Sequence, residues 1–488
     1  MKKTIRPASY FDRFLKRCST LVVCLTVVFA SGEAVNEPLG IEAKRFEGNP
    51  ILSLEIIGDE AFDIHRETNS DPYASIAGPS LIRVPEWVAK PLGKYYLYFS
   101  HHKGEHIRMA YANNLEGPWN VYNPGKGVFH LNQTTGFALD HVASPDVHVD
   151  HRNEQIVMYY HSPYVDESLG QKTFAAISDD GLAFEANSPE VLGKMYMRVF
   201  RYRGYFYGVP RRGPMVRSLD GLTNFESGPD LFHYEDRHFA LKLHNNRLFV
   251  FYSHELDKPE TIKVVEMDVS DPNWMNWSLM KNPLEVLSPE KSYETNPVSI
   301  LLDPYVYHED GDHYLFYSVA KEQGIALAYL DVPLWSSLNI TEVFAKSFRP
   351  YVVSEESLSI GDKSYLNSGY RMSNIPSSLR DVSWIQTDLA DQRSSGSAQG
   401  FLSFSVDRDV IAFVAHDDRF ERRPAWLMDW NDTDESIKVS GPGGKQSLSV
   451  FAKSFDSGHV ALGGNVAIDE ASPPDQRLMY LVAIKERK

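Results

Sequence analysis

The chain has two cysteines in 488 residues, Cys18 and Cys24. Both precede residue 30, so the remainder offers no disulfide framework, no thiol nucleophile and no thiolate set for zinc. Long apolar runs are also scarce. Residues 21–30 (LVVCLTVVFA) form a run of about ten, too short to span a bilayer. Lys2, Lys3, Arg6, Arg13, Lys16 and Arg17 precede it, and the small residues Ala30, Ser31 and Gly32 end it. Residues 1–30 therefore read as a signal peptide, and the product is expected to be soluble, secreted or periplasmic, with no membrane association. Positive charge is in deficit: 49 Lys and Arg against 65 Asp and Glu give a net charge of −16. The leader holds six basic residues and one Asp, which leaves the rest near −21. That excludes general nucleic-acid binding, which needs a basic surface. A monomer is expected.

What the sequence has in quantity is Tyr, Phe and β-branched residues between Gly, Asn and Asp turns, a composition of strands. From about residue 75 to 330 an aromatic strand recurs after a turn: YYLYFSHH, IVMYYHSP, YFYGVPRR, LFVFYSHE and YLFYSVAKE. Another strand precedes each turn: PSLIRV, PDVHVD, YMRVFRY, HFALKLH and DPYVYHE. A period of about 40–60 residues with several strands per unit predicts a β-propeller, because one blade cannot bury both faces alone. Five repeats are visible, and divergent blades near residues 45–75 or beyond 335 would raise the number to as many as seven. Composition changes near residue 350 to Ser-rich stretches and then to strands without the repeat's signature. The expected organisation is an all-β chain: a signal peptide at 1–30, a catalytic propeller over 40–345, and a C-terminal β-sandwich accessory module over 350–488. The module resembles those attached to bacterial polysaccharide lyases and glycosidases, through GYRMSNIPSSL, FLSFSVDRDVIAFVAHDDR, RPAWL and ALGGN. Trp384, Trp426 and Trp430 are candidates there for sugar stacking or for core.

Inner strands of a propeller line its axis, and loops at one end form a funnel. Residues just before an inner strand, or just after the next strand, converge there. The first class gives His141, Asp146, Tyr196, Arg198, Arg237, His238 and Asp303. The second gives His101, His102, His161, Arg211, Arg212, His254 and Glu322. Such a set of His and Arg on scaffolded loops is expected to hold a catalytic group. Asp146, His148 and Asp150 alternate on one strand and so share a face; they are a candidate cation site or a hydrogen-bonded strand face. No cofactor is required, though a structural divalent cation is compatible with this face.

Two chemistries suit these residues. Glycoside hydrolysis needs a carboxylate pair. Asp303-Pro304 and Ser144-Pro145-Asp146 resemble the inner-strand Asp of the five-bladed family 43 propeller glycosidases, and Glu294 or Glu322 could donate a proton. In the first blade, however, Gly78 stands where that family places its Asp base; Asp71-Pro72 is a substitute in a different local context. β-Elimination at a uronic acid needs instead a cation for the C6 carboxylate, a base and an acid. His141 and His161 around SPDVHVDHRNEQIVMYY, with Tyr196 and Arg212 in YMRVFRYRGYFYGVPRR, resemble in order and spacing the propeller-type ulvan lyases of polysaccharide lyase families 24 and 25. The resemblance implies a carbon–oxygen lyase that cleaves an anionic polysaccharide, ulvan, with His141, His161, Tyr196 and Arg212 catalytic. Arg198, Arg237, His238, His101 and Asp303 would bind substrate. Tyr205 or Tyr207 could replace Tyr196, and Arg211 or Arg198 could replace Arg212. The alternatives are a family 43 type glycosidase using Asp146, Asp303 and a Glu, and a non-catalytic carbohydrate-binding propeller.

Overall fold

A computed structural model describes residues 40–54, 75–280, 282–354, 356–398, 400–468 and 477–487. The expected signal peptide, both cysteines and Asp71-Pro72 lie outside the described residues.

The repeat folds as five antiparallel sheets around one axis. Their inner strands are Ala77–Arg83, Ala143–Asp150, Arg198–Tyr202, Asp236–His244 and Leu301–Glu309, one for each visible repeat. The ring closes through the start of the chain. Glu42–Arg45 pairs antiparallel with Gly324–Asp331 as the outer strand of the fifth blade, with Glu42 opposite Asp331. Residues 45–54 thus belong to a blade already counted, and the described blades number five.

Period-two strands give each blade two apolar faces, and each face meets a neighbour. Ile82, Tyr98, Met109, Val147, Met158 and Phe174 fill the gap between blades one and two. Val157, Tyr159, Met197, Val199 and Phe206 fill the next, and Tyr207, Tyr252, Val265 and Trp277 the third. Phe251, Val264, Tyr317 and Trp335 pack between blades four and five, and Leu81, Leu97, Phe99, Phe316 and Leu327 between five and one. Each such side chain contributes about 1.5–3 kcal/mol by leaving water. Polar ties reinforce the stacking. Tyr98 Oη donates to the Gly181 carbonyl (3.0 Å) and Tyr159 Oη to the Gly221 carbonyl (2.9 Å), each reaching a polar turn of the following blade.

Beyond the propeller, a three-stranded and a seven-stranded sheet enclose one core that includes Trp384, Tyr365, Val414 and Tyr480. This is the expected sandwich, but its first strand comes early. Ile340–Ala345 pairs with Leu402–Val406, so the change of sheet precedes residue 350. Trp384 and Trp430 are buried in this core. Trp426 is half-buried, packs edge-on against Trp430 and Tyr480, and gives its indole N–H to the Gly464 carbonyl.

The sandwich covers the end of the propeller where the inner strands finish. His151 and His459 stack with ring centres 3.9 Å apart. Asp310-Gly311, both at positive φ, forms the expected hairpin turn, and Gly311 N–H donates to the Asp407 carbonyl (2.8 Å). The opposite end, where the inner strands begin, carries the polar residues described next.

Candidate active site at the mouth of the propeller

Each inner strand starts with the same irregularity. Gly78, Ser144, Tyr196, His238 and Asp303 all have positive φ (46° to 64°). In four blades the pairing register slips there, between Ala77 and Ser80, Ala143 and Asp146, Arg237 and Ala240, and Leu302 and Tyr305. In the third blade the strand begins directly after, at Arg198. These bulges turn one residue per blade out of its ladder at equivalent positions. Four of the five are not glycine, and each costs about 1–2 kcal/mol in the left-handed region. At Gly78 a Cβ would lie 3.0 Å from Ser144 Cα, so that the neighbouring strand would have to give by a few tenths of an ångström. Gly78 supplies no carboxylate at this position, and Asp303 is the one carboxylate among the five.

Four imidazole and phenol rings follow one another towards Asp303. His141 meets His161 edge-on at 5.8 Å, His161 lies 4.2 Å from Tyr196, and Tyr196 lies 5.0 Å from His238 between ring centres. His238 Nδ1 is 3.4 Å from Asp303 Oδ1. Glu322 faces the same group and is itself 3.2 Å from His102 Nδ1. His161, His238 and Asp303 are buried.

Burial sets the protonation states here. It holds His161 and His238 well below the usual imidazole range, with neighbouring His141 and Arg237 respectively adding to the effect, and it lowers His141 as well. These rings are neutral at pH 7. Burial, then the Glu322 carboxylate, pushes Asp303 up to about 6, against the opposing pull of Arg198, Arg237 and the Gly78 N–H. Burial and the Asp303 charge raise the Tyr196 phenol, so it keeps its proton.

The other expected site residues divide. Arg198 is not at the mouth but across the shaft below it. Its Nε donates to the Phe239 carbonyl (3.0 Å), Nη1 to the Pro145 carbonyl and Nη2 to the Pro79 carbonyl (3.4 Å), tying blades four, two and one. Asp146 is beside it, accepting from Val199 N–H (2.7 Å) and paired with His148 (2.8 Å) and Arg198 (3.4 Å). Asp150 turns instead to Arg152 and Asn153. The Asp146, His148 and Asp150 face is therefore a set of internal pairs, and among the described residues no group of three His, Cys, Asp or Glu side chains is placed to hold a metal ion. Arg212 is drawn outward, with its guanidinium 4.1 Å from the ring centre of exposed Tyr234 and 3.1 Å from Glu255. It is Arg211 that lies over Tyr196, at 5.9 Å. Arg237 is held by Glu260 (2.6 and 2.8 Å). His101 is buried, its Nδ1 accepting from Lys103 N–H, and His254 is paired with Asp236. Tyr205 and Tyr207 lie under blade three, Tyr207 against Trp274 and Trp277. Glu294 is buried and bound to Arg45 and Tyr317. Glu255 and Glu260, which organise the arginines, went unmarked in the sequence; the one signal for Glu255 is its place directly after LFVFYSH.

No family model matches the chain. It is 30% identical over 330 residues to an uncharacterized protein of Acanthamoeba polyphaga mimivirus, a match covering 59% of this chain and 89% of that one. It is 29% identical over 129 residues to a β-glucuronidase of Formosa agariphila, covering 26% of this chain but 12% of that protein. A thermostable family 43 glycoside hydrolase aligns over 54% of this chain and 92% of its own, with a TM-score of 0.40 and 15% identity. Solved structures of similar shape also include an arabinofuranosidase, a xylanase and an arabinanase. These neighbours are hydrolases, so the expected lyase activity is corrected, and the expected ulvan lyase resemblance finds no support among them. Two of the expected catalytic residues are not placed as expected: Arg212 faces outward onto Glu255, and Tyr196 holds its proton.

Proposed function

We propose that this chain, which belongs to one family with the uncharacterized Acanthamoeba polyphaga mimivirus protein, is a glycoside hydrolase acting on a polysaccharide, with Asp303 as proton donor. The observation that carries the reading is the place of Asp303 in the ring at the mouth. It is the single carboxylate of the five-residue ring, it is buried, and its pKa near 6 leaves it partly protonated near neutrality. A carboxylic acid raised in this way is suited to protonate a leaving glycosidic oxygen, and the reaction needs a second carboxylate beside it. Glu322 is that second group, to activate water or to stabilise positive charge on the sugar ring. Asp146 takes no direct part in this reading, because its oxygens are already committed to Val199, His148 and Arg198. The neutral imidazoles of His161 and His238 are suited to bind sugar hydroxyls, since each can donate and accept. The leader-like residues 1–30 support an exported location for such an enzyme.

The test is incubation with a panel of aryl glycosides and plant and algal polysaccharides, uronate-rich ones included. New reducing ends without ultraviolet absorbance from a conjugated double bond are expected. Asp303→Asn should lower the rate by about 10²–10⁴-fold. Binding without cleavage across the panel would leave the carbohydrate-binding propeller in its place.

A further inference from the structure

Four buried polar atoms at the mouth have no hydrogen-bond partner in the protein: His161 Nδ1, Arg211 Nε, His238 Nδ1 and Asp303 Oδ2. They are grouped around one ring. Tyr196 has His161 on one side at 4.2 Å, His238 on the other at 5.0 Å and the Arg211 guanidinium at 5.9 Å, with Asp303 3.4 Å beyond His238. Buried polar groups in folded proteins are nearly always paired. Four orphans around one aromatic ring therefore mark positions for ligand hydrogen bonds, with the ring as a stacking platform for a sugar.

Charge says which sugar. Arg211 is nine-tenths buried, and its carboxylate partner is shared. Glu255 takes Arg211 Nη2 and Arg212 Nη2 (3.1 Å), and Arg237 Nη1 is 3.7 Å away. Arg237 has Glu260 for itself, and Arg212 has Glu235 at 3.8 Å, but Arg211 has Glu255 alone. Three guanidiniums thus converge on one half-exposed glutamate in a chain of net charge −16. A hydroxyl would satisfy Arg211 Nε without giving Arg211 a counter-charge of its own. A carboxylate or sulfate would do both, by a charge-assisted hydrogen bond from a cation out of water.

We propose that Arg211 forms an anion subsite beside Asp303, and that the substrate carries an acidic sugar whose charged group Arg211 binds in competition with Glu255. The inference rests on the reading of this mouth as a sugar-cleaving site and names its substrate class.

The test measures binding of glucuronic acid, glucose 6-sulfate and glucose to the full chain by nuclear magnetic resonance titration. None of the three contains a glycosidic bond to a second sugar, so turnover plays no part. At least one acidic sugar should bind about ten- to a hundredfold tighter than glucose, and which one does so separates carboxylate from sulfate. Arg211→Met should erase that preference. Glu255→Gln should strengthen it several-fold by removing the competing carboxylate, an effect that a purely structural Arg211 would not produce. Equal binding of all three, binding of none, or a preference that survives Arg211→Met overturns the subsite. If hydrolysis is found without an acidic preference, the subsite fails alone. If the preference is found without hydrolysis, the hydrolase reading fails alone.

Discussion

Asp146 and Asp303 lie on equivalent inner strands two positions apart in the repeat, and their surroundings drive them in opposite directions. Asp303 occupies the bulge itself, at the mouth. Asp146 comes two residues after the bulge residue Ser144 and faces the shaft. Burial raises both carboxyls, but at Asp146 the His148 and Arg198 charges and the Val199 N–H outweigh it and hold the group below its ordinary range. At Asp303 burial and Glu322 win, and the group rises to about 6. The shaft aspartate, with both oxygens paired, holds blades together, whereas the mouth aspartate keeps Oδ2 without a partner. A displacement of two positions along the repeat thus gives one residue type opposite surroundings.

The same substitution at the two sites should therefore have opposite effects on stability. Asp146→Asn leaves buried Arg198 and half-buried His148 without their counter-charge, and should cost about 3–5 kcal/mol in chemical denaturation. Its native contribution is present above the unfolded Asp value near 4 and is lost as pH falls. Asp303 has the opposite sign. Its raised folded value favours the native state below about pH 4, and this advantage is lost as pH rises through 6. At pH 8 the native chain carries a penalty of about 3 kcal/mol for the buried charge, so Asp303→Asn should be more stable than wild type by about that amount. The gap should close below pH 4. A destabilised Asp303→Asn at pH 8 would break the comparison.

Smaller effects sharpen it. Tyr98→Phe removes the hydrogen bond to the Gly181 carbonyl at a blade contact and should cost about 1 kcal/mol by thermal unfolding, with turnover unchanged. Tyr196→Phe should slow turnover by less than about tenfold, because the phenol supplies at most one hydrogen bond and no proton transfer. A loss of a thousandfold or more there would restore a base role for Tyr196.

Much of this frame was legible in the sequence. The five aromatic strands after turns became the five blades, and the residues before each inner strand became the ring at the mouth. Tyr196, His238 and Asp303 could be named because a propeller repeat predicts which strand ends meet. Partner choice could not be read. Arg211 and Arg212 are consecutive after one strand and both reach Glu255; what separates them is that Arg212 lies over Tyr234 and Arg211 over Tyr196. Arg198 looked like a mouth cation, but its place two residues beyond Tyr196 directs it into the shaft. The early start of the sandwich at Ile340 depends on pairing with a strand some 60 residues later, which leaves no local trace.

The most direct test of Asp303 as proton donor is the pH dependence of hydrolysis in wild type and Glu322→Gln. The rate should fall on the alkaline side with an apparent pKa near 6, as Asp303 loses its proton. Glu322→Gln removes the neighbouring negative charge, so whatever activity remains should fall off at lower pH. An alkaline limb that lies well above pH 8, or one that does not move in Glu322→Gln, would contradict the assignment.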